Sequence, residues 1–143
     1  MKQIETDICI IGGGSGGLSL AAGAVQMGAR VVLFEGGQMG GDCLNSGCVP
    51  SKALLAAAKA AYLANGNAAM GITNTPPNID FAAVKAHVAD VIAQIEPHDS
   101  IARFEALGVT VIPEMAHFTG PRAVASATHQ VRAKYIVIAS GSQ

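Results

Sequence analysis

Cys43 and Cys48 stand five positions apart in the segment GGDCLNSGCVPSKALL, which runs from Gly40 to Leu55. Two thiols at that separation allow three chemistries: packing as small buried residues, a share of a metal site, or a disulfide that opens and closes. A tetrahedral metal site wants four ligands. The remaining candidates, Cys9, His87, His98, His117 and His129, are scattered without ligand spacing, so no metal is expected. A disulfide needs Cα atoms about 4.4 to 6.8 Å apart, whereas a regular helix sets residues i and i+5 about 140° and about 7.5 Å apart along its axis. If the two cysteines pair, Cys43 must therefore leave regular helix, and Gly47 supplies the irregularity while Pro50 suits a first helical turn. Cys48 then falls at a helix start, where unpaired N–H groups and the helix dipole favour thiolate.

A second constellation lies upstream. Gly12, Gly14 and Gly17 form G-x-G-x-x-G between an apolar run and a helical pattern. The first glycine permits a tight turn, the second lets backbone approach a diphosphate, and the third lets helix pack on strand. The helix N-terminus attracts the phosphate charge. Glu35, about 20 residues on, closes a second apolar run, where its carboxylate can accept the hydroxyls of an adenosine ribose. An acid there disfavours a 2′-phosphate, so FAD or NAD fits better than NADP, and the turn does not choose between them.

The elements that must hold these groups follow from periodicity. Thr6 to Ile11 and Arg30 to Glu35 read as buried parallel strands, with a helix from Gly16 to Met27 ended by Gly28. An alanine-rich helix spans about Val49 to Ala64, closed by Asn65-Gly66, and Gly71 to Pro77 is a polar loop. Asp80 is a helix cap, and Val84, Val88, Val91, Ile92 and Ile95 follow helical spacing as far as Gly108, with a kink expected at Pro97. Beyond it VTVI is a strand; MAHF, RAVAS and HQVRA form an antiparallel meander, and KYIVIAS is a last strand. The fold class is α/β, a Rossmann-like arrangement of parallel sheet plus three-stranded meander.

Composition sets bounds. With 143 residues, half of them hydrophobic, the chain can bury one core of domain size. Nine Lys and Arg against ten Asp and Glu give a net charge of −1, which offers no basic field for nucleic acid or an anionic membrane. ALLAAAKAAYLA is broken by Lys59 and too short to span a bilayer. The start, MKQIETD, reads as neither signal nor targeting segment, so a cytoplasmic location is expected, where a close cysteine pair is more often catalytic or metal-binding than structural.

GGDCLNSGCVPSKALL, following the glycine turn and its acid, resembles the redox segment of the class I flavoprotein disulfide reductases, among them dihydrolipoamide dehydrogenase, glutathione reductase and mercuric reductase. Those enzymes commonly carry G-G-T-C-x-N-x-G-C-x-P-S/K-K. MAHFTG and IVIASGS resemble two further family stretches, the second the family's I-x-A-T-G-S, so the likeness covers essentially all 143 residues. The departures are Asp42 for threonine, Ala116 for a frequent glycine and Ser140 for threonine. Asp42 puts one polar contact near FAD in doubt, while backbone contacts at the other two should survive.

The resemblance implies FAD as the cofactor, held by Gly12, Gly14, Ser15, Gly17, Glu35, Gly41, Asp42, Lys52, Ala116, Ala139, Ser140 and Gly141. It implies that Cys48 faces the flavin as the charge-transfer thiolate, that Cys43 exchanges with a dithiol or disulfide substrate, and that Lys52 lies by the flavin ring. Cys9 reads as a packed residue within the first strand. Family members continue into an NAD(P)H domain and a dimerisation domain that carries a catalytic His-Glu pair for the partner subunit. Residues 1–143 are thus expected to be the N-terminal part of the FAD-binding domain of a homodimeric parent, inactive alone. Two alternatives stay open: reduction of mercuric ion, and a nucleotide-binding module without turnover.

Overall fold

A computed structural model of the chain describes residues 1–142; Gln143, the end of the expected domain, lies outside the described residues. The first strand, β1 (Lys2–Ile11), leads through the glycine turn into α1 (Ser15–Gln26) and then β2 (Val31–Phe34). Ile8 to Ile11 lie in parallel register opposite Val31 to Phe34, so the two expected strands end together at the glycine turn. Gly28 ends the α1 turn at φ 84°, the left-handed conformation read from the sequence.

Next come α2 (Gly41–Asn45) and α3 (Cys48–Ala64), a small hairpin of β3 (Gly66–Asn67) and β4 (Ile72–Thr73), and α4 (Phe81–Ile95). Part of the expected polar loop is therefore the second arm of that hairpin. Asp80 caps α4 as expected, its carboxylate accepting the amides of Ala82 and Ala83 at 2.9 and 3.2 Å.

The single helix expected from Asp80 to Gly108, kinked at Pro97, is corrected. Helix α4 stops at Ile95, a 3₁₀ turn covers Glu96–Asp99, and α5 (Ile101–Ala106) starts afresh. Pro97 has no N–H to continue the ladder. Ser100 is extended at φ −71° and ψ 153°, and its hydroxyl accepts the Arg103 amide at 3.3 Å, which makes it the cap of a new helix.

The remaining strands are β5 (Val109–Ile112), β6 (His117–Gly120), β7 (Ala123–Ala125) and β8 (His129–Ile138). HQVRA and KYIVIAS, read as separate strands, are one: no glycine or proline interrupts residues 129 to 138. Strand β8 pairs with β1 in parallel along its whole length and with β7 antiparallel through its first half. The meander and the parallel strands therefore share β8 in one six-stranded sheet of order β5-β2-β1-β8-β7-β6.

Strand alternation divides the core in two. Ile10, Leu33, Val31 and Val109 pack with Leu18, Ala21 and Ala24 of α1 and Phe104 of α5. Cys9, Val32, Phe34 and Ile112 pack with Val124, Val131 and Ala133 of the meander. Full burial of a side chain such as Phe104 or Phe34 contributes roughly 1.5–3 kcal/mol each. Cys9 is fully buried, as expected, and burial pushes its thiol up to about 11.

Candidate functional site

Strands β1 and β2 deliver the glycine turn and Glu35 to the same end of the sheet. The Gly12 amide donates to the Phe34 carbonyl at 2.8 Å, and the Ala139 amide donates to the Ile11 carbonyl at 2.8 Å. Gly12 has φ 111°, and a Cβ there would collide with the Ala139 carbonyl. This tight pass sets the segment after β8 against the turn after β1. A Cβ at Gly17 would collide with the Gly12 carbonyl, which is the close helix-on-strand approach expected of the third glycine.

A second glycine contact joins this turn to the cysteine segment. Gly14 and Gly40 form a parallel bridge, and the Gly40 amide donates to the Gly13 carbonyl at 2.9 Å. Gly41 has φ 59°, and a Cβ on it would lie 2.7 Å from the Gly14 Cα. Between them opens a cleft of about 520 Å³. The N-cap of α1 is Gly14, which has no side chain to occupy the free amides of the first turn. Those amides suit an anionic group.

Glu35 is fixed from two sides. Its carboxylate accepts the Gly13 amide and the Gly37 amide, both at 2.6 Å. Each oxygen keeps a second lone pair for an external hydroxyl.

The two cysteines lie on separate helices. Cys43 is within α2 and Cys48 is the first residue of α3, so the irregularity falls between them, at Ser46 (φ −140°) and Gly47 (φ −106°, ψ −111°), rather than at Cys43. Asp42 shapes this break. Its carbonyl accepts the Ser46 and Gly47 amides at 3.0 and 2.5 Å, and its carboxylate accepts the Ser46 hydroxyl. The Asn45 side chain donates to the carbonyls of Met39 and Gly41 at 3.1 and 2.8 Å, which holds the entry to α2. All three cysteines are free, and the Cys48 side chain across the break raises the Cys43 pKa. The Lys52 ammonium, one turn into α3, acts more weakly in the opposite direction.

Of the residues named from the sequence, Gly12, Gly14, Ser15 and Glu35 line the cleft, as do Gly41, Asp42 and Cys43. Ala139, Ser140 and Gly141 close its far side. Gly17 packs beneath it, and Cys48, Lys52 and Ala116 are not among its walls. Ala116 instead packs on the second core cluster. Sequence reasoning missed Gly13 and Gly37, which clamp Glu35, and Asn45. Only the polar Asn45 among small residues carried any signal. Among the described residues no cluster of three or more His, Cys, Asp or Glu could hold a metal ion, and no helix is long and apolar enough to cross a membrane.

A family model described as pyridine nucleotide-disulphide oxidoreductase matches residues 6–143. The chain belongs to this family. It is 36% identical to a dihydrolipoyl dehydrogenase of Pseudomonas aeruginosa, over all of this chain and 32% of that protein. It is 32% identical to a mercuric reductase of Bacillus cereus, over 96% of this chain and 22% of that protein. Its fold matches a HOCl-induced flavoprotein disulfide reductase of Escherichia coli, solved as a Cu(II) complex, at a TM-score of 0.77 and 24% identity over 96% of this chain and 28% of that one. The chain thus spans a third or less of the relatives it matches. As an oxidoreductase-family chain it bears the Rossmann-like sheet.

Proposed function

We propose that the chain is the N-terminal, FAD-binding portion of an NAD(P)H-dependent disulfide reductase in which Cys43 and Cys48 form the redox pair. The observation that carries this reading is the cleft framed by the glycine turn and Glu35, with Cys43 in its wall and Cys48 at the start of the next helix. The cleft suits the ADP half of FAD. The free amides at the start of α1, with Gly12 and Gly14, would meet the diphosphate, and Glu35 the ribose hydroxyls. Gly41 and the Ala139–Gly141 segment would border the rest of the nucleotide, with Ala116 offering backbone at the meander and Lys52 charge near the ring. When bound, FAD supplies the two-electron link between nicotinamide and thiols.

The thiols divide the work in this reading. Cys43, on the cleft wall, attacks one sulfur of a substrate disulfide as thiolate; a Cys43–substrate disulfide forms and one substrate thiol leaves. Cys48 then attacks the Cys43 sulfur, forming the Cys43–Cys48 bond and releasing the second thiol. Two electrons have left the protein pair and reduced the substrate, and NAD(P)H would be the reductant that returns them. With a dithiol substrate the same steps run in reverse. Since one glycine turn supplies one dinucleotide site, turnover is assigned to a longer, homodimeric parent acting in a reducing, cytoplasmic setting. Mercuric ion is a second candidate substrate, favoured by the mercuric reductase of Bacillus cereus among the relatives and by the affinity of paired thiols for soft cations.

Treatment with oxidised dithiothreitol, alkylation and peptide mapping tests the pairing. A Cys43–Cys48 bridge with Cys9 free is expected, and a bridge involving Cys9 would overturn it. In Cys48→Ser the mixed disulfide on Cys43 should persist; faster trapping on Cys48 in Cys43→Ser would reverse the two roles.

A further inference from the structure

The cleft has an unusual electrostatic lining for a diphosphate. Two carboxylates, Glu35 and Asp42, line it, and among the described residues no lysine or arginine does. Glu35 is engaged by the amides of Gly13 and Gly37 at the sugar end of the cleft. Asp42 stands elsewhere, in the first turn of α2, its carboxylate anchored by the Ser46 hydroxyl, and Ser46 is itself part of the cleft wall. The Gly14–Gly40 bridge and the near contact of Gly41 with Gly14 set the start of α2 directly against the start of α1. An anion seated on the first amides of α1 therefore shares the cleft with a second negative charge that no lysine or arginine of the lining offsets.

We propose that Asp42 is an affinity-setting residue of this cleft, whose charge opposes that of a bound nucleotide diphosphate. The inference rests on the nucleotide reading of the cleft given above. Removing the charge should tighten every ligand that carries the diphosphate and leave one without it unchanged. Added salt screens the repulsion, so the difference should shrink as ionic strength rises.

Titration calorimetry on the purified chain with FAD, ADP and adenosine tests this, comparing wild type with Asp42→Asn and Ser46→Ala. Asp42→Asn keeps the shape and an acceptor for the Ser46 hydroxyl, and a circular dichroism melt checks the fold. At low salt its Kd for FAD and ADP should fall about threefold to tenfold, the scale of one unit charge facing a partly solvated anion. The ratio should approach one in about 0.5 M NaCl, where the screening length is only a few ångströms, and adenosine should bind both proteins equally. Ser46→Ala removes the anchor but not the charge, and should not tighten ADP. Nucleotide binding that is the same in wild type and Asp42→Asn, or an equal gain for adenosine, would overturn the Asp42 inference while leaving the nucleotide site standing. Failure of wild type and Asp42→Asn alike to bind FAD or ADP would overturn the nucleotide reading and the inference with it.

Discussion

Replacing Gly41 by alanine probes the join between the glycine turn and the cysteine segment. Two penalties add. At φ 59° an L residue takes up left-handed backbone, which costs roughly 1–2 kcal/mol. The new Cβ would sit 2.7 Å from the Gly14 Cα, against 3.4–4 Å for ordinary contact. Because the obstacle is backbone, no side-chain rotation relieves it, and overpacking of this kind costs about 1–3 kcal/mol. Alanine also restricts the unfolded chain, which offsets roughly 0.4–1 kcal/mol. The net loss should be about 2–4 kcal/mol. Two controls separate the terms. Gly28 has φ 84° with nothing within 4 Å of a Cβ, so Gly28→Ala carries the backbone penalty alone, a net loss of about 1 kcal/mol. Gly23 lies in α1 with open space around it, so Gly23→Ala should stabilise by about 0.5–1 kcal/mol. Urea unfolding at constant m-value measures all three. If Gly41→Ala costs no more than Gly28→Ala, the two turns are not in the tight contact on which the cleft depends, and the reasoning fails.

Acid stability should report on Glu114, whose carboxylate is held down to about 2 by the Ser126 and Thr128 side chains and the Thr128 amide. A depressed carboxylate stabilises the fold above the usual value of 4.5, and that contribution is lost as pH falls from there through about 2. Unfolding midpoints across that window should therefore drop more steeply in wild type than in Glu114→Gln; parallel profiles would contradict the assignment. Glu35→Gln should weaken ADP about tenfold or more through lost charge-assisted hydrogen bonds, and wild type should bind ADP more tightly than 2′-phospho-ADP. Calorimetry decides, and equal affinity for the two nucleotides would refute the role of the acid.

What the sequence determined by itself was local chemistry. The spacing of Gly12, Gly14 and Gly17 between an apolar run and a helix, with Glu35 at the end of the next strand, needs only covalent spacing and short-range periodicity to be legible. The same holds for Asp80 as a cap, Gly28 as a helix stop, and two cysteines with a glycine between them. Short-range pattern failed where competing continuations had similar local preferences. Apolar spacing ran on through Pro97, yet Ser100 could cap a fresh helix. Residues 129 to 138 were divided although one strand could serve two partners, β1 and β7. Only the tertiary structure decided which distant groups meet: Ala139 against Gly12, Gly41 against Gly14, and the Gly13 amide on Glu35. The cleft exists because backbone segments far apart in the chain pass within van der Waals distance, and such passes depend on sheet register and on atoms that glycine lacks, neither of which periodicity records.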